Sequence, residues 1–565
     1  MTEAVTTHQT DWALRPWALA ALLGVAGLLV HFATDWDYND IQPWRAALAG
    51  FVFFGPLALA FTLDRDHWKA PLAFALLVGA VMAGIAWRVA RAEDHYADEG
   101  YWLAAAIVSI ALALPLFQAG FHKLRWRTSY DETHFHVWTD AITAAGALAF
   151  FGLSFLLANL LGELFAAIEI DLLRELLRED WFNWMFAGVT FGAALGVLRN
   201  QLKVIGTLQS VVMLVFSLIA VPFAAALVIF ILAVLVSGLD VLWGATRSPT
   251  PLLLSCAAAS FVLVNSVVRN GDGGASGSRT MRWAALVLAL GILPLAIMAA
   301  ISTGTRIAEY GLSPERIWGL VAIVVAVAYG VAYFVAPIRG RMVHWMDRVR
   351  TANLHLAVGT CALALLLALP ILDFGAISAR DQLARLEAGK VDVEDFDFTA
   401  LRWDFGDAGR EALERLEGSD NAEIAKLARD TQLQEERPWR GYRDKNRTER
   451  LANARFEFED EILRERVRAY LRTSPWQCDK PCAILDAGND DDGRRRVAIV
   501  ESGRVGFETF DLGRPAPQEG AAIGVVEAAA MEQAVEQTAT SKAEIREWTG
   551  RRVYIDGKPA GRPFE

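Results

Sequence analysis

WAALVLALGILPLAIMAAI (residues 283–301), the link GTRIAEYGLSPER (304–316) and IWGLVAIVVAVAYGVAYFVA (317–336) together decide the fold. Each apolar run supplies about the 20 residues that carry an α-helix across a hydrocarbon core. The link concentrates Arg306, Glu309, Tyr310, Glu315 and Arg316 in a short space. Charge at that density is costly in lipid, so the link lies at a membrane face or turns back into protein. The three stretches read as a transmembrane hairpin with a polar tip.

Outward from the hairpin the pattern repeats. Further apolar runs occupy residues 17–32, 44–63, 71–89, 101–121, 137–161, 181–198, 211–236, 251–268 and 354–371, and Pro222 marks a kink in the seventh run. With 565 residues and 54% hydrophobic content, the chain is too apolar for an ordinary soluble protein. After Phe374 the composition shifts, and this last third carries more than half of all charged residues. The expected fold is therefore an all-α polytopic membrane bundle of about eleven transmembrane helices, followed by a small α+β soluble domain. The boundary is set at residues 1–373 for the helical domain and 374–565 for the soluble one.

Loop charge gives the expected orientation, because short cytoplasmic loops carry the excess of Lys and Arg. Basic residues follow the even-numbered spans: Arg65 and Lys69, then Lys123, Arg125 and Arg127, then Arg199 and Lys203, Arg279 and Arg282, and Arg339, Arg341, Arg348 and Arg350. The alternate loops are acidic, as in TDWDYNDIQPW and AEDHYADEG. This places the N-terminus inside, on the cytoplasmic face, and the C-terminal domain outside. The first apolar run lacks a cleavage-site pattern and reads as an uncleaved first helix.

Between the fifth and sixth spans, GELFAAIEIDLLRELLRED has apolar residues at helical spacing, including Phe165, Ile168, Leu172 and Leu176. Its acidic polar face favours packing on neighbouring protein over contact with anionic lipid. In the tail, short helices are expected through residue 432, the second opening at a Ser419–Asp420 cap, and a longer charged helix over residues 444–471. Strand signals follow in AILD, RRVAIV and GFETFDL, then a helix over 521–548 and a last turn at YIDGKP.

Several function classes are disfavoured. A net charge of −11 without a basic run argues against nucleic acid. The Gly-rich loop NGDGGASGS lacks the G-K-[ST] ending of a nucleotide-phosphate loop, so no nucleotide is expected. No His occurs after His355, which removes the usual Ser-His and Cys-His hydrolase pairs from the tail. Cys478 and Cys482, in CDKPC, are an incomplete zinc set and read as a short-loop disulfide. NDDDG fails the calcium-loop frame, with Gly488 first and Ile499 last. No metal or cofactor is expected, and the lipid bilayer and a protein meeting the exported tail are the expected partners.

The candidate site residues are few. Arg306, Glu309 and Tyr310 could orient a polar substrate or headgroup at the outer mouth, although SPER equally fits a plain helix start, with Ser313 as cap and Pro314 at the first position. Asp35 and Asp37, in the first outer loop, stand where a membrane transferase using a lipid-linked donor keeps a catalytic base. Asp140 sits near a span end, and Asn159 and Asn265 read as residues that join helices by hydrogen bonds.

DQLARLEAGKVDVEDFDFTALRWDFGDAGREALERL (381–416) and RIAEYGLSPERIW (306–318) resemble the bacterial membrane-protein family catalogued as domain of unknown function 4153. The resemblance covers most of the chain from the fifth span to Leu416. It implies a bacterial inner membrane and a periplasmic tail, and it brings no catalytic residues. The leading reading is a non-enzymatic role in transport, envelope sensing or assembly. A membrane transferase and a scaffold whose tail binds a protein partner are the alternatives.

Overall fold

In the computed structural model the described residues are 12–34, 42–92, 95–238, 249–271, 277–342, 344–434, 437, 451–473, 477–478, 481–489, 494–501, 504–510, 543–548, 550–555 and 558–564. They divide by contact into a unit ending at Leu433 and a unit beginning at Gln434.

The first unit is helical. It contains α1 (Arg15–Thr34), α2 (Pro43–Thr62), α3 (Lys69–Ala90), α4 (Glu99–Gln118), a single turn α5 (Phe121–Leu124), α6 (Tyr130–Ala166), α7 (Leu172–Leu176) and α8 (Asp180–Asn200). It continues with α9 (Leu202–Ser237), α10 (Pro249–Val268), α11 (Arg279–Tyr310), α12 (Pro314–Arg339) and α13 (Trp345–Ala368). All except α5 and α7 are long and apolar enough to cross a membrane, which makes 11 spans among the described residues. The protein is a multi-pass membrane protein. The 37 residues of α6 and 36 of α9 exceed what a bilayer needs, so these helices tilt or project beyond it.

Small residues set the closest helix contact. Gly188, Gly192 and Gly196 recur every fourth residue of α8 against α1, and a Cβ on Gly188 would lie 2.0 Å from the Leu23 carbonyl oxygen. Without a hydrophobic drive inside lipid, such backbone-to-backbone approach supplies the packing energy. The later spans instead bury larger side chains, with Leu288, Ile292, Leu295 and Tyr333 at the centre.

The polar tail begins inside this same unit. α14 (Phe374–Glu387), α15 (Phe398–Trp403), α16 (Gly406–Glu417) and α17 (Ala422–Gln432) enclose Leu386, Phe396, Phe398, Leu401 and Leu413. The cap of α17 is Asn421, whose side chain accepts from the Glu423 and Ile424 amides, one residue beyond the expected Ser–Asp pair.

The stretch after the fifth span departs from expectation. α6 continues to Ala166, Glu169 adopts a left-handed φ of 65°, and only Leu172–Leu176 is helical beyond it. The reversal breaks the amphipathic face, and Ile168 (64%) and Leu172 (67%) remain exposed instead of packing within the chain.

The second unit is α+β. β1 (Ala454–Phe456), β2 (Cys482–Asn489), β3 (Arg495–Glu501) and β4 (Arg504–Phe510) form one sheet in that order, β1 parallel to β2 and the rest antiparallel. Strand alternation separates its two faces. Ala483, Leu485, Ala498 and Val500 meet Val553 of the second sheet, while Ile484, Val497 and Ile499 meet Leu463, Val467 and Leu471 of α18 (Glu461–Thr473). Two helix expectations fail here. β1 interrupts the 444–471 helix because it pairs with β2, and residues 444–450 lie outside the described set. Ala543–Trp548 is a strand, β5, paired with β6 (Gly550–Ile555) and followed by β7 (Lys558–Phe564), while 521–542 lie outside the described set. Local helix propensity yields there to sheet pairing.

Candidate functional site

The charged link is held by its main chain. α11 ends at Tyr310, and Gly311 takes a φ of 73° that a side chain would disfavour. The carbonyls at a helix C-terminus lack intrahelical partners and carry partial negative charge. Here α14 supplies the partners. Arg385 donates from Nη1 to the Ala308 oxygen (3.2 Å) and from Nη2 to the Glu309 oxygen (2.6 Å). Gln382 Nε2 donates to the Tyr310 and Leu312 oxygens at 2.9 and 2.8 Å, and Asp381 Oδ2 accepts from the Leu312 amide at 2.7 Å. Arg316 closes the turn by donating to Tyr310 and Gly311. The Ser313 side chain caps α12, and Pro314 opens it.

Beside this clamp lies a buried carboxylate. Asp98, immediately before α4, is 2% exposed. Its Oδ2 accepts from two indoles, Trp102 Nε1 at 3.2 Å and Trp318 Nε1 at 3.1 Å, whereas Oδ1 is buried without a partner. Burial raises its pKa above the ordinary aspartate range, against the opposing pull of the indole donors and of Arg88. Arg88 lies over the Trp102 ring, 3.5 Å from its centroid, and donates to the Ala368 oxygen at the end of α13. Tyr101 stacks on Trp318, and Phe374 meets the same ring edge-on.

The loop before Asp98 then joins the tail. Tyr96 pairs with Phe405 in an antiparallel bridge, the Ala97 amide donates to Asp404, and the Gly406 amide donates to the His95 oxygen. The Tyr96 hydroxyl meets Asp407 Oδ2 at 3.3 Å, and burial raises its pKa. Gly406 has a φ of 62°, and a Cβ there would lie 2.0 Å from the Tyr96 ring. The link, the loop before α4 and the tail thus form one polar and aromatic knot.

The side chains of Arg306, Glu309 and Tyr310 are exposed, the Tyr310 ring lying 5.6 Å from the Arg316 guanidinium, and the tail grips the backbone of Glu309 and Tyr310. Asp35 and Asp37 lie outside the described residues. Cys478 and Cys482 are joined by a disulfide. Among the described residues no group of three or more His, Cys, Asp or Glu could hold a metal ion. Sequence reasoning passed over Asp98 as one more carboxylate in an acidic loop. The available signals were Trp102, one helical turn further on, and Trp318, which ends the RIAEYGLSPERIW string.

At the other face, polar groups tie helices together. Asn265 Nδ2 donates to the Tyr333 hydroxyl, which donates to Asn353 Oδ1, and Asn353 Nδ2 returns to Asn265 Oδ1, each at 2.7 Å. α10, α12 and α13 are joined through this ring, as expected of Asn265. Asn159 behaves otherwise: it is exposed and, among the described residues, its side chain bonds only to the Phe155 oxygen of its own helix. Asp140 meets Gln118 Nε2 at 3.3 Å, level with the ends of α2 and α8, where Arg199 donates to the Ala60 and Leu63 oxygens.

Residues 46–416 match the family described as "Domain of unknown function (DUF4153)". The chain belongs to the DUF4153 family. The DUF4153 region runs from α2 into α16, so it contains the link, the Asp98 loop and the helical tail that joins them. The β-sheet unit falls beyond it. Comparison with curated proteins gives no match, and comparison with solved structures gives none.

Proposed function

We propose that this DUF4153 protein is a non-catalytic scaffold of the bacterial inner membrane, whose bundle presents the C-terminal unit to the periplasm for envelope assembly or sensing. One observation carries the reading. Within the family-matched region the tail helix spends the side chains of Asp381, Gln382 and Arg385 on the backbone of the link, which is how a docking joint is built. The orientation draws on the loop charges, with the basic loops assigned to the cytoplasm.

Complementation of a strain lacking the gene tests the role. Deleting residues 434–565 should reproduce the envelope phenotype of that strain, whereas Arg306→Ala, Glu309→Ala, Asp35→Asn and Asp37→Asn should each complement fully. Loss of function in Asp35→Asn or Asp37→Asn, with normal protein levels, would overturn the reading in favour of a transferase. Alkaline phosphatase and a fluorescent protein fused separately after Glu565 test the orientation: phosphatase activity is expected, and a fluorescent but phosphatase-inactive pair refutes it.

A further inference from the structure

The turn between the fourth and fifth spans combines features that neither a solvated loop nor a buried one needs. Gly120 leaves α4 at a φ of 79°, α5 makes one turn, and Arg125–Arg127 adds a 3-10 turn before Ser129 caps α6. The sequence alternates Lys123, Leu124, Arg125, Trp126, Arg127. Lys123, Arg125 and Arg127 are exposed, and among the described residues their side chains make no hydrogen bond or ion pair. Asp131 and Glu132, in the first turn of α6, do not pair with them. Leu124 (51%) and Trp126 (60%) are exposed as well. The indole is nonetheless held in place, stacked on His355 of α13 at 5.3 Å between ring centroids and edge-on to Phe121.

A loop bathed in water gains nothing by displaying Leu and a fixed Trp, and a loop in hydrocarbon could not keep three unpaired cations. The headgroup boundary satisfies both. An apolar residue and an indole seat there while basic groups meet lipid phosphates. We propose that residues 121–127 form a binding corner for the headgroups of anionic phospholipids, with Lys123, Arg125 and Arg127 pairing phosphate and Leu124 and Trp126 seated at the acyl boundary. This holds whether or not the scaffold reading does.

The test uses the full chain in detergent with phosphatidylglycerol or phosphatidylcholine, reading retained lipid by native mass spectrometry and affinity by thermal shift. Each basic residue near an anionic surface strengthens binding by about fivefold, so the parent should prefer phosphatidylglycerol by about tenfold or more. The variant Lys123→Gln, Arg125→Gln, Arg127→Gln should lose that preference, and high salt should weaken it in the parent. The pair Arg91→Gln, Arg380→Gln, exposed on the opposite face, should keep it. If the triple variant does not fold, Arg127→Gln alone should lower affinity by about fivefold. Equal retention of the two lipids by the parent, an unchanged preference in the neutralised variants, or displacement by soluble glycerol phosphate as effective as the lipid itself would each overturn the assignment.

Discussion

The two faces of the membrane unit divide the same residue types differently between solvent and structure. At the face of the basic loops, Lys123, Arg125, Arg127, Arg339, Arg341 and Arg348 make no side-chain hydrogen bond or ion pair among the described residues. At the face of the acidic loops, Arg88, Arg316 and Arg385 all donate to backbone carbonyls. The basic face thus leaves these six cations to solvent and headgroups while Arg199 and Arg350 bond backbone carbonyls there, whereas at the acidic face all three of Arg88, Arg316 and Arg385 serve as structural joints. The lesson is that net loop charge and local structural work are separate properties. A basic loop can be structurally idle, and an acidic one can hold the fold.

The largest effect should come from crowding the joint. Gly406→Val adds a Cβ where the Tyr96 ring already lies 2.0 Å away and demands a side chain at positive φ. Overpacking and backbone strain together should cost about 3 kcal/mol or more. Limited proteolysis should then cleave between α14 and α17 in the variant and spare the parent. Equal protection would show that the bridge between Tyr96 and Phe405 does not hold the tail. Asp381→Ala comes next, because it strands the Leu312 amide and should cost about 1–3 kcal/mol in thermal or denaturant unfolding. An effect no greater than that of an exposed control would show that water replaces the carboxylate.

Asp98 sharpens the contrast through pH. Its raised folded-state pKa means that the folded protein holds the proton more tightly than the unfolded chain does. The associated stabilisation is complete below the unfolded value of about 4 and is lost as pH rises through the folded value. The parent should melt at progressively lower temperature as pH rises across that window. Asp98→Asn, which cannot ionise, should flatten the slope. An identical slope in both proteins would assign the pH dependence elsewhere.

How far this was legible in the sequence depends on the range of the interaction. The spans were readable because each is a local run of apolar residues, and the Ser313–Pro314 start of α12 because a cap is a local code. The tail strands β2 to β4 were readable for the same reason, through alternation. The Asp98 knot was not, because its two indole donors are Trp102 in the adjoining helix α4 and Trp318 in α12, and nothing local announces the second. β5 was misread because AEIREW carries helix-forming residues and becomes a strand only against β6. The link's side chains Arg306, Glu309 and Tyr310 stand out in the sequence, whereas its contact with the tail runs through carbonyls, which every residue possesses and no sequence pattern marks.

The smallest effect should fall on the basic face, and it tests the comparison from its idle side. Arg339→Gln, Arg341→Gln and Arg348→Gln together remove three charges that contact no carboxylate and no carbonyl among the described residues. Exposed charges of this kind contribute a few tenths of a kcal/mol at most, so unfolding of the purified triple variant should shift by no more than about 0.5 kcal/mol. Arg385→Ala, a single change at the opposite face, should exceed it, since two C-terminal carbonyls of α11 lose a charged donor. Were the triple variant the less stable of the two, free cations on the basic face would have to act through long-range repulsion or a contact with lipid that survives purification. Repeating the comparison at high salt and after delipidation separates those causes, because screening relieves the first and delipidation removes the second.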